Sequence, residues 1–174
     1  HKFENRSRFL FEDLVDSIIG QQLSAKAAAT ILKRFKALFN SNDTFPTSQQ
    51  ILKKRDETIR KAGISFAKIK YIKGVALAYK KGELDYKKFL KITDEEVILE
   101  LTKLKGVGRW TAEMTLIFTL GRPDVFSIGD GGLRRAIKNL YKIEKEIEIL
   151  KLTEKWKPFR SKASWYLWRS LENK

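Results

Sequence analysis

Apolar residues recur along this chain three and four apart, the spacing of helices that turn one face to a core. Between positions 9 and 19, Phe11, Leu14, Val15, Ile18 and Ile19 share one face. After Gly20-Gln21-Gln22-Leu23, Ser24 is placed to cap a second helix carrying Ala28, Ile31, Leu32, Phe35 and Phe39. A polar connection covers Asn40 to Pro46, and Thr47-Ser48-Gln49-Gln50 forms a capping box before a broken helical stretch ending at Gly63. Ser65 caps the next predicted helix, whose apolar set is Ile69, Ile72, Val75, Leu77 and Tyr79, with Gly82 as its stop. A second capping box, Thr93-Asp94-Glu95-Glu96, opens a short helix through Val97, Ile98 and Leu101.

Further helices are predicted from Arg109 to Leu120, from about Asp130 through Leu140, and from Pro158 through Leu171. The last of these is expected to bury Trp165, Leu171 and one of Leu167 and Trp168. Alternating strand patterns are scarce and no internal repeat is visible. The expectation is an all-α chain of about eight to ten short helices, in one domain or in two small lobes sharing a core.

Composition narrows the chemistry. Thirty-six Lys and Arg oppose 21 Asp and Glu, a net charge of +15 on 174 residues. Such an excess favours a polyanionic partner, nucleic acid ahead of an anionic membrane, against the plainer reading of a lysine-rich soluble surface. No apolar run approaches the ~20 residues that span a bilayer, and no secretory signal is legible. The chain is expected to work inside the cell as a monomer. Cysteine is absent and the single histidine is the first residue. Disulfides, thiolate nucleophiles, Cys-ligated clusters, Ser-His pairs and His-rich metal sites are therefore excluded. Any catalysis must come from carboxylates, lysines, tyrosines or the backbone.

One break in the helical pattern stands apart. LKGVGRWTAE, residues 104–113, puts Gly106 and Gly108 between two helices, flanked by Lys103, Lys105 and Arg109. Paired glycines permit a tight turn and leave backbone amides open at a helix start, where an anion is welcome. A simple corner between packed helices would also use Gly-x-Gly. Four other stretches extend the pattern: FEDLVDSIIGQQLSAKAAA at 11–29, Gly63-Ile64-Ser65 with Lys68, DVFSIGDGGLRR at 124–135 and WKPFRSKA at 156–163. In this order and spacing the chain resembles the helix–hairpin–helix DNA glycosylase superfamily, most closely the 3-methyladenine DNA glycosylase II branch.

The resemblance implies two helical lobes with an active-site cleft between them, with residues 1–174 forming one domain and the hairpin at about 95–120. It also implies roles that the residues alone do not. Asp130 by position reads as a helix N-cap; the resemblance makes it the catalytic carboxylate, and leaves Asp124 as a loop residue. Breaking an N-glycosidic bond builds positive charge on the sugar, which a carboxylate in a dry site stabilises. Gly131-Gly132 departs from the family, where a larger apolar residue commonly follows the aspartate; this loosens the loop. Trp110 is implied as a pocket wall, Met114 and Phe159 as further pocket residues; Phe159, Trp156 and Trp165 read equally well as core. Gln22 is implied to fill the gap left by a flipped base, and reads otherwise as a polar loop residue. Ser24, Lys105, Gly106, Gly108 and Arg109 complete the implied DNA contacts.

The family hairpin often holds a monovalent or calcium ion through carbonyls, here those of Thr102, Leu104 and Val107; no cofactor is required. Bifunctional members carry a lysine two residues after the second hairpin glycine, a position that Trp110 occupies. The expected activity is monofunctional excision of alkylated purines from double-stranded DNA. A bifunctional glycosylase/lyase and a non-catalytic helix–hairpin–helix DNA-binding module stand as alternatives.

Overall fold

The computed structural model describes residues 9–39 and 44–172. Among them are eleven α-helices, one π-helical segment and no strand. The helices are α1 Leu10–Gly20, α2 Ala25–Ala37, α3 Ser48–Lys53, α4 Asp56–Arg60, α5 Phe66–Lys80, α6 Tyr86–Phe89, α7 Asp94–Thr102, α8 Arg109–Met114, α9 Gly131–Tyr141, α10 Glu146–Glu154 and α11 Arg160–Ser170. The predicted connection over Asn40 to Pro46 lies partly outside the described residues, as does His1.

Two apolar cores organise these elements. The larger is built from α1 to α8, with Leu14, Val15, Ile18, Phe35, Ile69, Ile72 and Leu101 fully buried. α1 runs through its centre with six buried apolar side chains. At about 1.5–3 kcal/mol for each such side chain, this helix is a main source of stability. The smaller core gathers Leu133, Ala136 and Ile137 of α9, Ile149 of α10 and Leu167 of α11. Trp168 packs against both cores, so its indole sits at the junction of two helical lobes.

Local sequence sets the helix starts. Both capping boxes form: the Thr47 amide donates to Gln50 Oε1 at 2.8 Å, and the Thr93 amide donates to Glu96 Oε2 at 2.7 Å. Ser24 and Ser65 accept from the Ala27 and Lys68 amides, each at 3.3 Å.

The structure departs from the pattern in four places. The helix expected over Arg109–Leu120 is α8 followed by a π-helical segment, Thr115–Thr119. The Leu120 amide reaches back five residues to the Thr115 carbonyl at 2.9 Å. This wider turn buries Leu116 and Ile117 and leaves Phe118 facing outward beside Trp168. On α5 Ile69, Ile72 and Val75 are core as expected and Ala76 and Ala78 join them, whereas Leu77 and Tyr79 are exposed. α11 starts at Arg160 rather than Pro158 and buries Leu167 fully; Trp165, Trp168 and Leu171 stay half-buried. α10 is not expected from the pattern; its Ile147 and Leu150 point to solvent, and only Ile149 and Thr153 are buried, with Leu152 packed partly buried against the smaller core. No helix among the described residues is long and apolar enough to cross a membrane.

The segment joining the lobes is stitched to the start of α11. Arg160 donates from Nε to Asp124 Oδ1 at 2.8 Å and from Nη2 to Oδ2 at 3.0 Å. That forked bond holds the Asp124 carboxyl below the usual carboxylate range. Ser161 adds a hydroxyl bond to the Arg122 carbonyl at 2.7 Å and receives the Val125 amide at 2.9 Å. The loop that follows, 126–130, is thereby anchored at its origin.

Candidate active site

A cavity of about 750 Å³ opens between the end of α1, the start of α8 and the start of α9. Its walls include Asp16, Gln22, Trp110, Gly129, Asp130 and Gly131. Asp130 is only 8% exposed, and its carboxylate is fixed by three donors. Oδ1 accepts the Leu133 amide at 2.7 Å and the Trp168 indole N–H at 3.0 Å. Oδ2 accepts the Trp110 indole N–H at 2.7 Å. All three donors are neutral, so the carboxylate is held without being neutralised by a paired cation. The N-cap reading and the cavity reading of Asp130 are therefore one arrangement: capping α9 is what aims the group into the cavity.

Gly132 explains how a second tryptophan reaches the same carboxylate. A Cβ at this position would stand 3.1 Å from Asp130 Oδ1 and 3.2 Å from Trp168 Cδ1. Gly131 is different, since a Cβ there meets nothing within 4 Å. Gly132→Ala is accordingly expected to part the Trp168 indole from Asp130 and to cost about 1–3 kcal/mol, as overpacking does. Gly131→Ala should do neither. Denaturant unfolding of the two variants, with a crystal structure of Gly132→Ala, checks both; a Trp168–Asp130 bond retained in that crystal structure refutes the steric argument.

The loop carrying Asp130 is held from α8 as well. Glu113, 5% exposed, accepts a short hydrogen bond from the Ser127 hydroxyl. The Ser127 carbonyl accepts the Asp130 amide at 3.1 Å. Glu113 also receives Arg109 Nε at 3.0 Å, and the far end of Arg109 forks onto Glu95 at 2.6 and 3.1 Å. Arg109, expected to meet phosphate, is thus tied to two carboxylates of its own chain.

The hairpin stands beside this site. Gly106 has φ +89, and its backbone lies against the Tyr71 ring. Gly108 is the N-cap of α8, carries no capping side chain and has open space where a Cβ would be. Gln21 donates from Nε2 to the Gly106 carbonyl at 2.8 Å, which joins the hairpin to the loop after α1. Lys68 clamps that loop through the Ile19 and Gln21 carbonyls at 2.8 and 2.7 Å. Burial lowers the Lys68 pKa from its ordinary value. Gln22 takes φ 59 at the loop crest and faces the cavity. Ser24 spends its hydroxyl on capping α2. Lys105 is exposed and makes no ion pair among the described residues, while Lys103 pairs with Glu100 at 2.9 Å.

Not every expected pocket residue lies at the cavity. Trp110 does, at 44% exposure. Met114 packs half-buried against the large core, and Phe159 is 60% exposed at the start of α11; neither lines the cavity. Trp168, Glu113 and the cavity-lining Asp16 are site residues that the sequence reading did not single out. An indole N–H near a buried junction requires an acceptor, and a carboxylate on a buried helix face requires donors; those are the signals that would have marked the first two.

Residues 15–159 match the family model described as HhH-GPD superfamily base excision DNA repair protein. DNA-3-methyladenine glycosylase 1 of Schizosaccharomyces pombe is 39% identical over 164 residues, 92% of this chain and 72% of that protein. DNA-3-methyladenine glycosylase of Bacillus subtilis is 31% identical over 93% of this chain and 57% of its own length. Among solved structures, 3-methyladenine DNA glycosylase Mag1 of S. pombe, in complex with abasic DNA, superposes with a TM-score of 0.85 at 36% identity, covering 99% of this chain and 86% of that one. DNA-3-methyladenine glycosidase of Bacillus halodurans gives 0.83 at 38% identity, over 92% and 75%.

Proposed function

From the premise that this chain belongs to the HhH-GPD superfamily of base excision DNA repair proteins, we propose that it is a monofunctional DNA glycosylase that releases alkylated purines of the 3-methyladenine type. The observation that carries this reading is the Asp130 carboxylate, held by two indoles and a helix start on the wall of a cavity large enough for a base. A damaged base turned out of the duplex enters the cavity. The bond from sugar C1′ to the base nitrogen breaks, and its electron pair leaves with the base. Asp130 stabilises the positive charge that grows on the sugar and accepts a hydrogen bond from the water that adds to C1′. The water's proton passes to the carboxylate, and an abasic site remains.

Other residues bind and orient. The Trp110 ring offers a face to a cationic alkylpurine, an attraction of about 0.5–2 kcal/mol. The open amides after Gly108, with Lys105, take phosphate oxygens without reading sequence. Gln22 fills the space of the displaced base. The turn that closes when the Val107 amide donates to the Leu104 carbonyl at 3.0 Å leaves that carbonyl a second lone pair. With the carbonyls of Thr102 and Val107 it offers the hard oxygen donors that suit a monovalent or calcium ion, which would stiffen the phosphate clamp.

Trp110 at the lysine position of bifunctional members favours hydrolysis over lyase chemistry, because an indole forms no Schiff base. The decisive experiment incubates the protein with alkylated genomic DNA and identifies the bases released. Free alkylpurines are expected, with intact strands and no covalent protein–DNA adduct when borohydride is added during the reaction. A trapped adduct beyond that of spontaneous abasic-site controls would replace this reading with a lyase, and the absence of any released base would leave a DNA-binding module.

A further inference from the structure

The cavity holds a second carboxylate. Asp16 lies on α1, one turn before Gly20, and lines the same space as Asp130 and Trp110. None of the lining residues is a lysine, arginine or histidine, although the chain as a whole carries a charge of +15. A basic exterior surrounds an acidic chamber. Asp16 makes no ion pair or hydrogen bond among the described residues, unlike Asp130, whose oxygens are filled by three donors. Burial, with neighbouring Asp13, pushes the Asp16 carboxyl above the usual carboxylate range, and Lys36 only partly offsets this.

We propose that Asp16 is a specificity-determining residue, which favours purines bearing a fixed positive charge by supplying their counter-charge inside the cavity. This rests on the glycosylase reading and names what that site selects. Alkylation of a ring nitrogen spreads positive charge over the purine and its exocyclic amino group, while an undamaged purine is neutral. Asp16 is exposed on the cavity wall of the free protein; a carboxylate there discriminates between them by charge, and it accepts the amino hydrogen at the same time. The direction of charge flow then fixes which kinetic quantity responds. As the glycosidic bond breaks, positive charge moves from the base to the sugar, so a group on the base's side holds the ground state at least as well as the transition state. Asp16 therefore acts on binding, and Asp130 on the chemical step.

The test measures single-turnover release from a duplex bearing one 7-methylguanine, across a range of protein concentrations, for wild type, Asp16→Asn and Asp16→Glu. Asp16→Asn is expected to raise the half-saturating concentration about tenfold while the plateau rate stays within about threefold. Asp16→Glu, which keeps the charge, should recover most of the loss. Binding to a duplex with a tetrahydrofuran abasic-site analogue, which leaves the chamber empty, should be the same for all three, as should the melting temperature. An unchanged half-saturation in Asp16→Asn overturns the proposal, as does a loss shared with abasic DNA or confined to the plateau. Wild type that releases no base overturns the glycosylase reading, and this inference with it; active wild type alongside an equally active Asp16→Asn overturns this inference alone.

Discussion

Asp130→Asn is expected to bind abasic-site DNA as well as wild type does and to excise alkylated purines at least about 100-fold more slowly, the scale of a lost electrostatic catalyst. The substitution keeps shape and removes charge. Its effect on the fold follows from the hydrogen bonds: the carboxylate has two oxygens accepting from Leu133, Trp168 and Trp110. An amide keeps one acceptor oxygen and turns an NH2 toward the remaining indole N–H, so donor faces donor. That mismatch costs about 1–3 kcal/mol and lowers the melting temperature by a few degrees for a chain of this size. Rates must therefore be compared at a temperature where both proteins are fully folded, by single-turnover release. Excision within a few-fold of wild type, with folding matched, would reduce Asp130 to an N-cap that happens to face a cavity.

What the sequence made legible, and what it hid, divides by distance along the chain. The capping boxes at Thr47 and Thr93 and the caps at Ser24 and Ser65 are local chemistry, complete within three residues, and each forms as read. The backbone of the site was legible too, because DVFSIGDGGLRR and the hairpin are contiguous motifs. The grip on Asp130 was not. Trp168 is 38 residues away and Trp110 is 20 away; the docking of α11 against α9 brings the first indole to the carboxylate, and the placement of α8 brings the second. Helical spacing marks Trp168 as half-buried without saying against what. Arg109 shows another contact that its local sequence hides: beside the glycine turn it reads as a phosphate ligand, and Glu95 on α7, 14 residues back, holds its guanidinium in this structure. Met114 is carried into the large core rather than the cavity, and the π-helical segment begins immediately after it. A five-residue widening has no sequence period of its own to reveal it.

The two hairpin glycines are expected to fail in different ways when replaced, and that contrast separates their roles. Gly106→Ala should destabilise the fold by about 2–4 kcal/mol, combining the cost of a left-handed backbone with overpacking. At φ +89 its Cβ would lie 2.4 Å from the Tyr71 ring, and Tyr71 belongs to α5, the long helix of the larger core. Relief by moving the ring would also disturb the Gly106 carbonyl that Gln21 holds, so the strain spreads to the loop after α1. A drop in melting temperature of about 5–15 °C is the reading. Gly108 has φ −90 and ψ 174, a conformation open to any residue, and nothing near its Cβ. Gly108→Leu should therefore keep the stability within about 1 kcal/mol. The space it fills is the space a phosphate would occupy against the α8 amides, so its affinity for duplex DNA should fall about tenfold for every sequence alike, with a salt dependence shallower by about one phosphate contact. Calorimetry of both variants and a salt titration of binding decide the matter. If Gly108→Leu binds duplex as wild type does, the open face of the turn takes no phosphate, and the hairpin is a packing corner whose one demanding glycine is Gly106.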